Sequence, residues 1–435
     1  MRAESLLALV AVLAAASAGA ADDATLIVAN GKVIVGDGTV LERGTVVVAG
    51  DRILAVRADP VDAAAAKLID ATGKTVMPGL IDAHVHLTME KLFEQPRDDE
   101  AMESFVAGGL PERLRGFLEA GITTVMSPGD YWPAAVGVRD AVSTGELAGP
   151  RIRTAGRLLT APGGHPAATF CGSLDMKGPN PWCREHLTEE VATEGEAREA
   201  VARLAGEGVD LVKFVYEDLG EPGVEPLAGE LVDDIIAAAH GHELRAYAHS
   251  LEVAKAIQAI EEGLDGLVHV PAVAVEPDER GRLASLMGSE GIAAATPLTT
   301  FDSLIELLAS QESQEEVTAL RGLYDEMEMS LARLAEEDAG LLVLGTDSPH
   351  LPPGAAYHRE IELVSEAGMT PGQIVMAATR DAARYMGLGD ELGTVELGKL
   401  ADLIVVEGDP LQDPSALREV VVVIKGGEIV AGGGE

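Results

Sequence analysis

Hydrophobic positions change their spacing along the chain, and each change predicts a different kind of element. The first pattern is an unbroken apolar run over 6–16, with Arg2 before it and Ala18-Gly19-Ala20 after it, the charged, apolar and small-residue order of a secretory signal. The run is too short to span a bilayer. Residues 1–20 therefore predict export to a periplasmic or secreted destination, with no stable membrane insertion once the signal is removed. From 25 to 76 short β-rich runs follow, Leu26-Ile27-Val28, Lys32-Val33-Ile34-Val35, Thr45-Val46-Val47-Val48 and Ile53-Leu54-Ala55-Val56, broken by Gly, Asp and Asn turns. The same texture returns over 402–406, over 420–424 and in Glu428-Ile429-Val430. Together, 21–78 and 391–435 predict one small β-sandwich built from both chain ends.

Between them, over 79–390, apolar strands alternate with stretches whose hydrophobic residues recur every third or fourth position, as in 231–240 and 251–262. Eight strands are predicted: 80–87, 122–126, 151–155, 211–216, 245–249, 266–270, 292–296 and 341–346. Strands alternating with helices read as parallel βα units, and eight of them as an α/β fold, a TIM-like (β/α)8 barrel. Chemistry in such a barrel sits at the carboxyl ends of the strands. That rule selects which polar residues matter.

Composition narrows the function. The chain has 435 residues, 47% hydrophobic and 24% charged, as expected of a folded globular protein. Lys+Arg 32 against Asp+Glu 72 leaves a net charge of −40, which repels phosphate backbones and anionic lipid headgroups and argues against nucleic acid as a partner. Aromatic residues, at 3%, offer few stacking platforms for a large planar ligand. Cys171 and Cys183 are the only cysteines. In an exported protein they predict a local disulfide, with two free thiols as the alternative.

The strand ends carry the candidate chemistry. His84 and His86 are two apart on the first strand, so both imidazoles leave the same face, as metal ligands or as a hydrogen-bonded core pair. Lys213 sits inside the apolar Leu211-Val212-Lys213-Phe214-Val215, where an unpaired ammonium costs several kcal/mol by desolvation. An ion pair, a depressed pKa suited to Schiff-base chemistry, or conversion by carbon dioxide into an anionic carbamate would each compensate it. His249 ends the fifth strand, His269 the sixth, and Asp347 follows the eighth in Leu344-Gly345-Thr346-Asp347-Ser348. Any one of these could be structural. Six groups converging on one barrel mouth point to metal. His186, His240 and His242 lie before or on predicted helices and are expected on the solvated exterior.

Several segments together resemble the metal-dependent amidohydrolase superfamily, in the branch of imidazolonepropionase-related enzymes and metal-dependent Xaa-Pro dipeptidases. They are Pro78-Gly79-Leu80-Ile81-Asp82-Ala83-His84-Val85-His86, Gly121-Ile122-Thr123-Thr124-Val125, Gly163-Gly164-His165, Gly345-Thr346-Asp347-Ser348 and Gly398-Lys399-Leu400-Ala401-Asp402-Leu403. The resemblance implies two divalent ions, zinc foremost. His84, His86 and Asp347 would hold one, His249 and His269 the other, and a carbamylated Lys213 would bridge them. It also implies amide or small-peptide hydrolysis by a metal-bridged hydroxide, with Asp347 as base and then acid, in an exported dipeptidase. Many relatives carry an acidic residue before the strand-six His and Arg-Asp after strand two, where this chain has Val268 and Ser127-Pro128-Gly129-Asp130.

The stretch 156–187 exceeds ordinary loop length and is expected to form a lid or pocket wall. Within it the resemblance implies His165 as a donor to a carbonyl or oxyanion, with turn formation as the alternative, and Tyr216, beyond Lys213, is a candidate either to polarise a substrate carbonyl or simply to pack. His350 and His358 follow Asp347 and are candidates for substrate contact. Two other readings stay open: opening of a cyclic amide or lactone with a single metal and an unmodified Lys213, and a non-enzymatic barrel that binds small molecules. A homo-oligomer is compatible with the sequence.

Overall fold

The computed structural model describes residues 23–59, 66–89, 95–173, 177–217, 223–276, 278–310, 314–337, 341–347 and 350–433; the expected signal, 1–20, lies outside them. The valine- and isoleucine-rich run at the start becomes β1 (Leu26–Ile34), buried along most of its length because it is paired on both edges. β2 (Val40–Ala49) lies antiparallel to it, and β3 (Arg52–Arg57) antiparallel to β2. β4 (Lys67–Asp70) and β5 (Lys74–Pro78) run parallel on the opposite edge of β1.

The barrel strands are β6 (Leu80–Asp82), β7 (Ile122–Ser127), β8 (Arg151–Thr154), β9 (Leu158–Thr160), β10 (Thr188–Glu190), β11 (Leu211–Val215), β12 (Arg245–His249), β13 (Gly266–Leu267), β14 (Ala294–Ala295) and β15 (Leu342–Val343). All are parallel, in a sheet β6-β7-β8 and a sheet β10-β9-β11-β12-β13-β14-β15. The sheets meet at both seams. The Ala83 amide donates to Leu344 (2.8 Å) and the Thr346 amide to His84 (3.1 Å), while the Asp210 amide donates to Thr154 (2.9 Å). β7 and β11 are buried at every residue, as strands covered by helices on one side and barrel core on the other should be. The helices present their apolar stripe inward, as Glu230–Gly241 does with Leu231, Val232, Ile235, Ile236 and Ala239.

The chain returns to the first sheet through β16 (Leu403–Glu407), antiparallel to β5, followed by β17 (Val420–Lys425) and β18 (Glu428–Gly432). Both chain ends thus build a single mixed sheet of order β18-β17-β16-β5-β1-β2-β3 with β4 beside β1. The Gly398–Asp402 motif is its seam with the barrel. Arg151 grips the Asp402 carboxylate with Nε at 2.7 Å and Nη2 at 3.1 Å, and Lys399 Nζ donates to the Gly389 carbonyl at 2.7 Å.

Several expected elements differ: the strands expected over 266–270, 292–296 and 341–346 are regular only at Gly266–Leu267, Ala294–Ala295 and Leu342–Val343, and two further differences bear on the site. The first strand leaves the regular ladder at Asp82 rather than 87: the Asp82 carboxylate accepts from the backbone amides of His84 (3.3 Å) and Thr346 (3.0 Å), and single backbone bonds continue beyond it, from Ala83 to Leu344 (2.8 Å) and from Val85 to Met126 (2.9 Å). The expected long loop 156–187 is partly regular. It extends the third strand as β9 beside β11, turns through a π-helical segment Thr169–Ser173, and closes with the helix Pro181–Leu187, capped by Asn180.

Candidate metal centre

Backbone geometry sets the ligand groups. His84 and His86 follow β6 on an extended segment whose position Asp130 fixes: its carboxylate accepts from the amides of Leu87 (3.0 Å) and Thr88 (2.9 Å), the Thr88 hydroxyl (2.7 Å) and the Ser127 hydroxyl. Gly129, at φ 138°, presents its carbonyl to His86 Nδ1, and a Cβ there would stand 2.8 Å from Leu158 Cδ2. Opposite, Gly345 lets the strand-eight backbone come against strand one, since its Cβ would lie 2.9 Å from the His84 amide nitrogen. Asp347 follows with φ 45°, a left-handed conformation uncommon for a residue other than glycine.

The side chains then meet. His84 Nδ1 donates to the Val268 carbonyl (2.8 Å), which leaves the Nε2 lone pair facing inward. His84 Nε2 and His86 Nε2 stand 3.5 and 3.0 Å from Asp347 Oδ1, and His269 Nε2 is 3.9 Å from Oδ2. His84, His86 and Asp347 offer ligand atoms that all lie within 4.8 Å of one another. The His269 ring sits 5.0 Å from that of His84 and 4.3 Å from that of His249, between centroids. His84 Nε2 and both ring nitrogens of His269 are buried with no hydrogen-bond partner. An unsatisfied buried polar atom costs about 1–3 kcal/mol, a penalty that coordination of a cation removes. The residues present fit a divalent metal.

Protonation agrees. Burial holds His84 and His269 well below the usual imidazole range, so both are neutral at pH 7 with a lone pair to give. Burial alone would raise the Asp347 carboxyl; the imidazoles of His84, His86 and His269 outweigh it and keep Asp347 well below the ordinary carboxylate range. Lys213 is 3% exposed, and burial lowers its ammonium to about 8 against the opposing charges of Asp347, Glu217 and Asp130. No hydrogen bond or ion pair among the described residues uses its Nζ.

Other expected site residues are distributed unevenly. His165 is drawn in: its ring lies 5.2 Å from that of His249, Nδ1 is 2.7 Å from the Thr169 hydroxyl, and burial holds it well below the usual imidazole range. Tyr216 is not. Three residues from Lys213 it has the opposite strand parity, and its hydroxyl donates to Gln258 (2.7 Å) on the helix Val253–Glu261, so it joins strand to helix rather than polarising substrate. His350 bonds the Ser303 hydroxyl through Nε2 (2.8 Å), its Nδ1 buried and unpartnered. His358 lies on the exterior helix Pro353–Glu366, beside a cavity lined by Glu362, Asp413 and Arg418, and not at the mouth. His240 and His242 are exposed, but His186 is not free in solvent: it stacks on Trp182, ring centroids 4.2 Å apart.

The sequence reading missed Glu217. This carboxylate, 2% exposed just beyond β11, accepts from His249 Nε2 (2.6 Å) through one oxygen and from the Leu251 amide through the other. Its parity with Lys213 and Val215 was the available signal. The predicted disulfide is formed, Cys171 to Cys183 with Cα atoms 5.4 Å apart.

A parallel barrel whose strand ends gather neutral imidazoles, a carboxylate and a buried lysine defines a metal-dependent hydrolase acting on amide carbon–nitrogen bonds. Residues 75–430 match the amidohydrolase family, and the chain belongs to it. It is similar to the imidazolonepropionase of Shouchella clausii (strain KSM-K16), 26% identical over 450 residues, which cover 91% of this chain and 87% of that protein. An enamidase of Eubacterium barkeri is 33% identical over 129 residues, 28% of this chain and 30% of its own. Among solved structures, a Xaa-Pro dipeptidase with methionine bound in its active site superposes with TM-score 0.78 at 26% identity, covering 93% of this chain and 99% of that one. A prolidase complexed with N-methylphosphonate-L-proline gives 0.76 at 25%, covering 93% and 98%. The chain is an enzyme, and the reading of a non-catalytic binding barrel falls. No helix among the described residues is long and apolar enough to cross a membrane.

Proposed function

We propose that the enzyme is an exported dipeptidase that hydrolyses the amide bond of a dipeptide or N-acyl amino acid with two divalent cations, zinc foremost. The observation that carries this reading is the set of buried ring nitrogens with no hydrogen-bond partner, His84 Nε2 and both of His269, one of which carries that neutral ring's lone pair, around Asp347. His84, His86 and Asp347 would hold one cation, His249 and His269 the other, with Lys213 as its carbamate between them. Zinc suits mixed nitrogen and oxygen ligands. Bound there, the cations supply Lewis-acid polarisation of the scissile carbonyl and acidify the attacking water.

The chain's own groups do the rest. Asp347, held ionised by its imidazole neighbours, takes the water's proton and returns it to the leaving nitrogen. His165, neutral, would donate Nε2–H to the carbonyl oxygen as charge develops there, in the tautomer whose Nδ1 accepts from the Thr169 hydroxyl. Dipeptides ending in proline head the substrate list because two similar structures are a Xaa-Pro dipeptidase and a prolidase holding a proline phosphonate. Export is supported by the order of residues 1–20 and by the disulfide, which suits an oxidising compartment.

One observation favours a second reading, single-metal opening of a cyclic amide or lactone: among the described residues only His84, His86 and Asp347 gather within 4.8 Å. A chelator-controlled screen over Xaa-Pro and other dipeptides, N-acyl amino acids, cyclic amides and lactones, with metal content measured on the same protein, separates the two. Two ions per chain and chelator-sensitive dipeptide cleavage are expected. One ion per chain with ring opening selects the second reading, and metal-free protein inert on every class overturns both.

A further inference from the structure

We infer that Glu217 is a positioning residue that fixes which nitrogen of His249 faces the second cation, and so sets chiefly the affinity of that position. The inference rests on the two-cation reading above. Glu217 belongs to no ligand set considered so far, yet it is 2% exposed, and a buried carboxylate is stable only where its oxygens are used. Both are. Oε1 stands 2.6 Å from His249 Nε2, and Oε2 accepts the Leu251 amide, so the carboxylate is anchored by backbone on one side and aims at the imidazole with the other.

The tautomer follows from donor and acceptor bookkeeping. A carboxylate can only accept, so Nε2 carries the proton and the lone pair of His249 is on Nδ1. His249 is thereby committed to bind through Nδ1, the opposite of His84, whose Nδ1 donates to the Val268 carbonyl and whose Nε2 is free. The two halves of the centre are oriented by different chemistry. His84 and His86 lean on neutral backbone carbonyls, of Val268 and Gly129, whereas His249 leans on an anion. A carboxylate partner makes an imidazole a stronger donor to metal and holds its ring plane, and losing such a partner typically lowers affinity roughly 10–100-fold. Glu217 makes no hydrogen bond or ion pair with Asp347, His84 or His86 among the described residues; its charge does act on Lys213, so the effect should fall chiefly on the ion that His249 holds and more weakly on the other.

The test uses purified full-length protein, stripped and titrated with Co2+ against a chromophoric chelator, for wild type, Glu217→Gln and Glu217→Asp. In Glu217→Gln one amide oxygen must serve two donors, the His249 Nε2–H and the Leu251 amide, without charge. Wild type should bind two ions. In Glu217→Gln the affinity for one should fall about 10–100-fold with an altered visible absorption band, the affinity for the other changing less. Glu217→Asp, anionic but shorter, should recover part of the loss. Two ions bound with unchanged affinities in Glu217→Gln, whether or not its melting temperature drops, would make Glu217 purely structural and overturn the inference while leaving the two-cation reading intact. A wild type that binds one ion or none overturns the reading and the inference together.

Discussion

Lys213 shows how one residue can declare its chemistry in sequence while leaving the form of that chemistry open. An amine at 3% exposure with burial drawing it to about 8 is part neutral near physiological pH, and only the neutral amine adds carbon dioxide to become the anion that two cations would share. Truncation to Lys213→Ala would remove the proposed bridge without adding bulk. Turnover of the best dipeptide should fall by more than the roughly 10–100-fold expected for a group outside the ligand set, and metal content should drop with it. Acetate or propionate, small carboxylates able to enter the vacated space, should restore part of kcat/KM. Turnover equal to wild type would remove Lys213 from the centre. The candidate triad His84, His86 and Asp347 was readable because each is a polar residue at the end of an apolar run, an anomaly that hydrophobic patterning exposes. Glu217, Asp130 and Asp82 were not. Each acts through backbone amides or a histidine far away in sequence, as when Asp130 accepts from Leu87 and Thr88, and no linear pattern records such a partner.

At the scale of elements, strand positions were legible to within a few residues wherever β-branched runs were bounded by turn residues, as over Ile122–Ser127. The segment after the third strand was not, because its order is imposed by a cross-link and by docking rather than by periodicity. Its helix Pro181–Leu187 and the turn Thr169–Ser173 are joined by the Cys171–Cys183 disulfide, and that turn holds His165 through the Thr169 hydroxyl. Closing a loop of 12 residues contributes about 3 kcal/mol by the chain-entropy account. In the Cys171→Ser, Cys183→Ser double variant, amides in 165–187 should therefore exchange hydrogen about a hundred-fold faster, with β11 and β12 unchanged. Equal exchange in this segment would show that packing alone holds it, and that the oxidised bond adds nothing to the ordering of His165.

The whole molecule is set against itself electrostatically, and counting decides the sign of what salt will do. Even if every one of the 32 basic residues paired with a carboxylate, 72 − 32 = 40 acidic groups would remain without a cationic partner. Added salt weakens exposed pairs such as Arg282–Glu261, but an exposed pair contributes little to stability, so that loss is shallow. It also screens mutual repulsion among the unpaired carboxylates, which accumulates over every pair closer than the Debye length, about 10 Å at 0.1 M. Repulsion should win. The melting temperature of the metal-loaded enzyme should rise between about 0.02 and 0.5 M sodium chloride, most steeply at the low end where the Debye length changes fastest. The more buried Arg151–Asp402 clamp between barrel and terminal sheet, with Asp402 only 4% exposed, is screened less and should hold throughout. A melting temperature that falls steadily with salt would mean that paired charges, not the unpaired excess, dominate the stability of this acidic barrel.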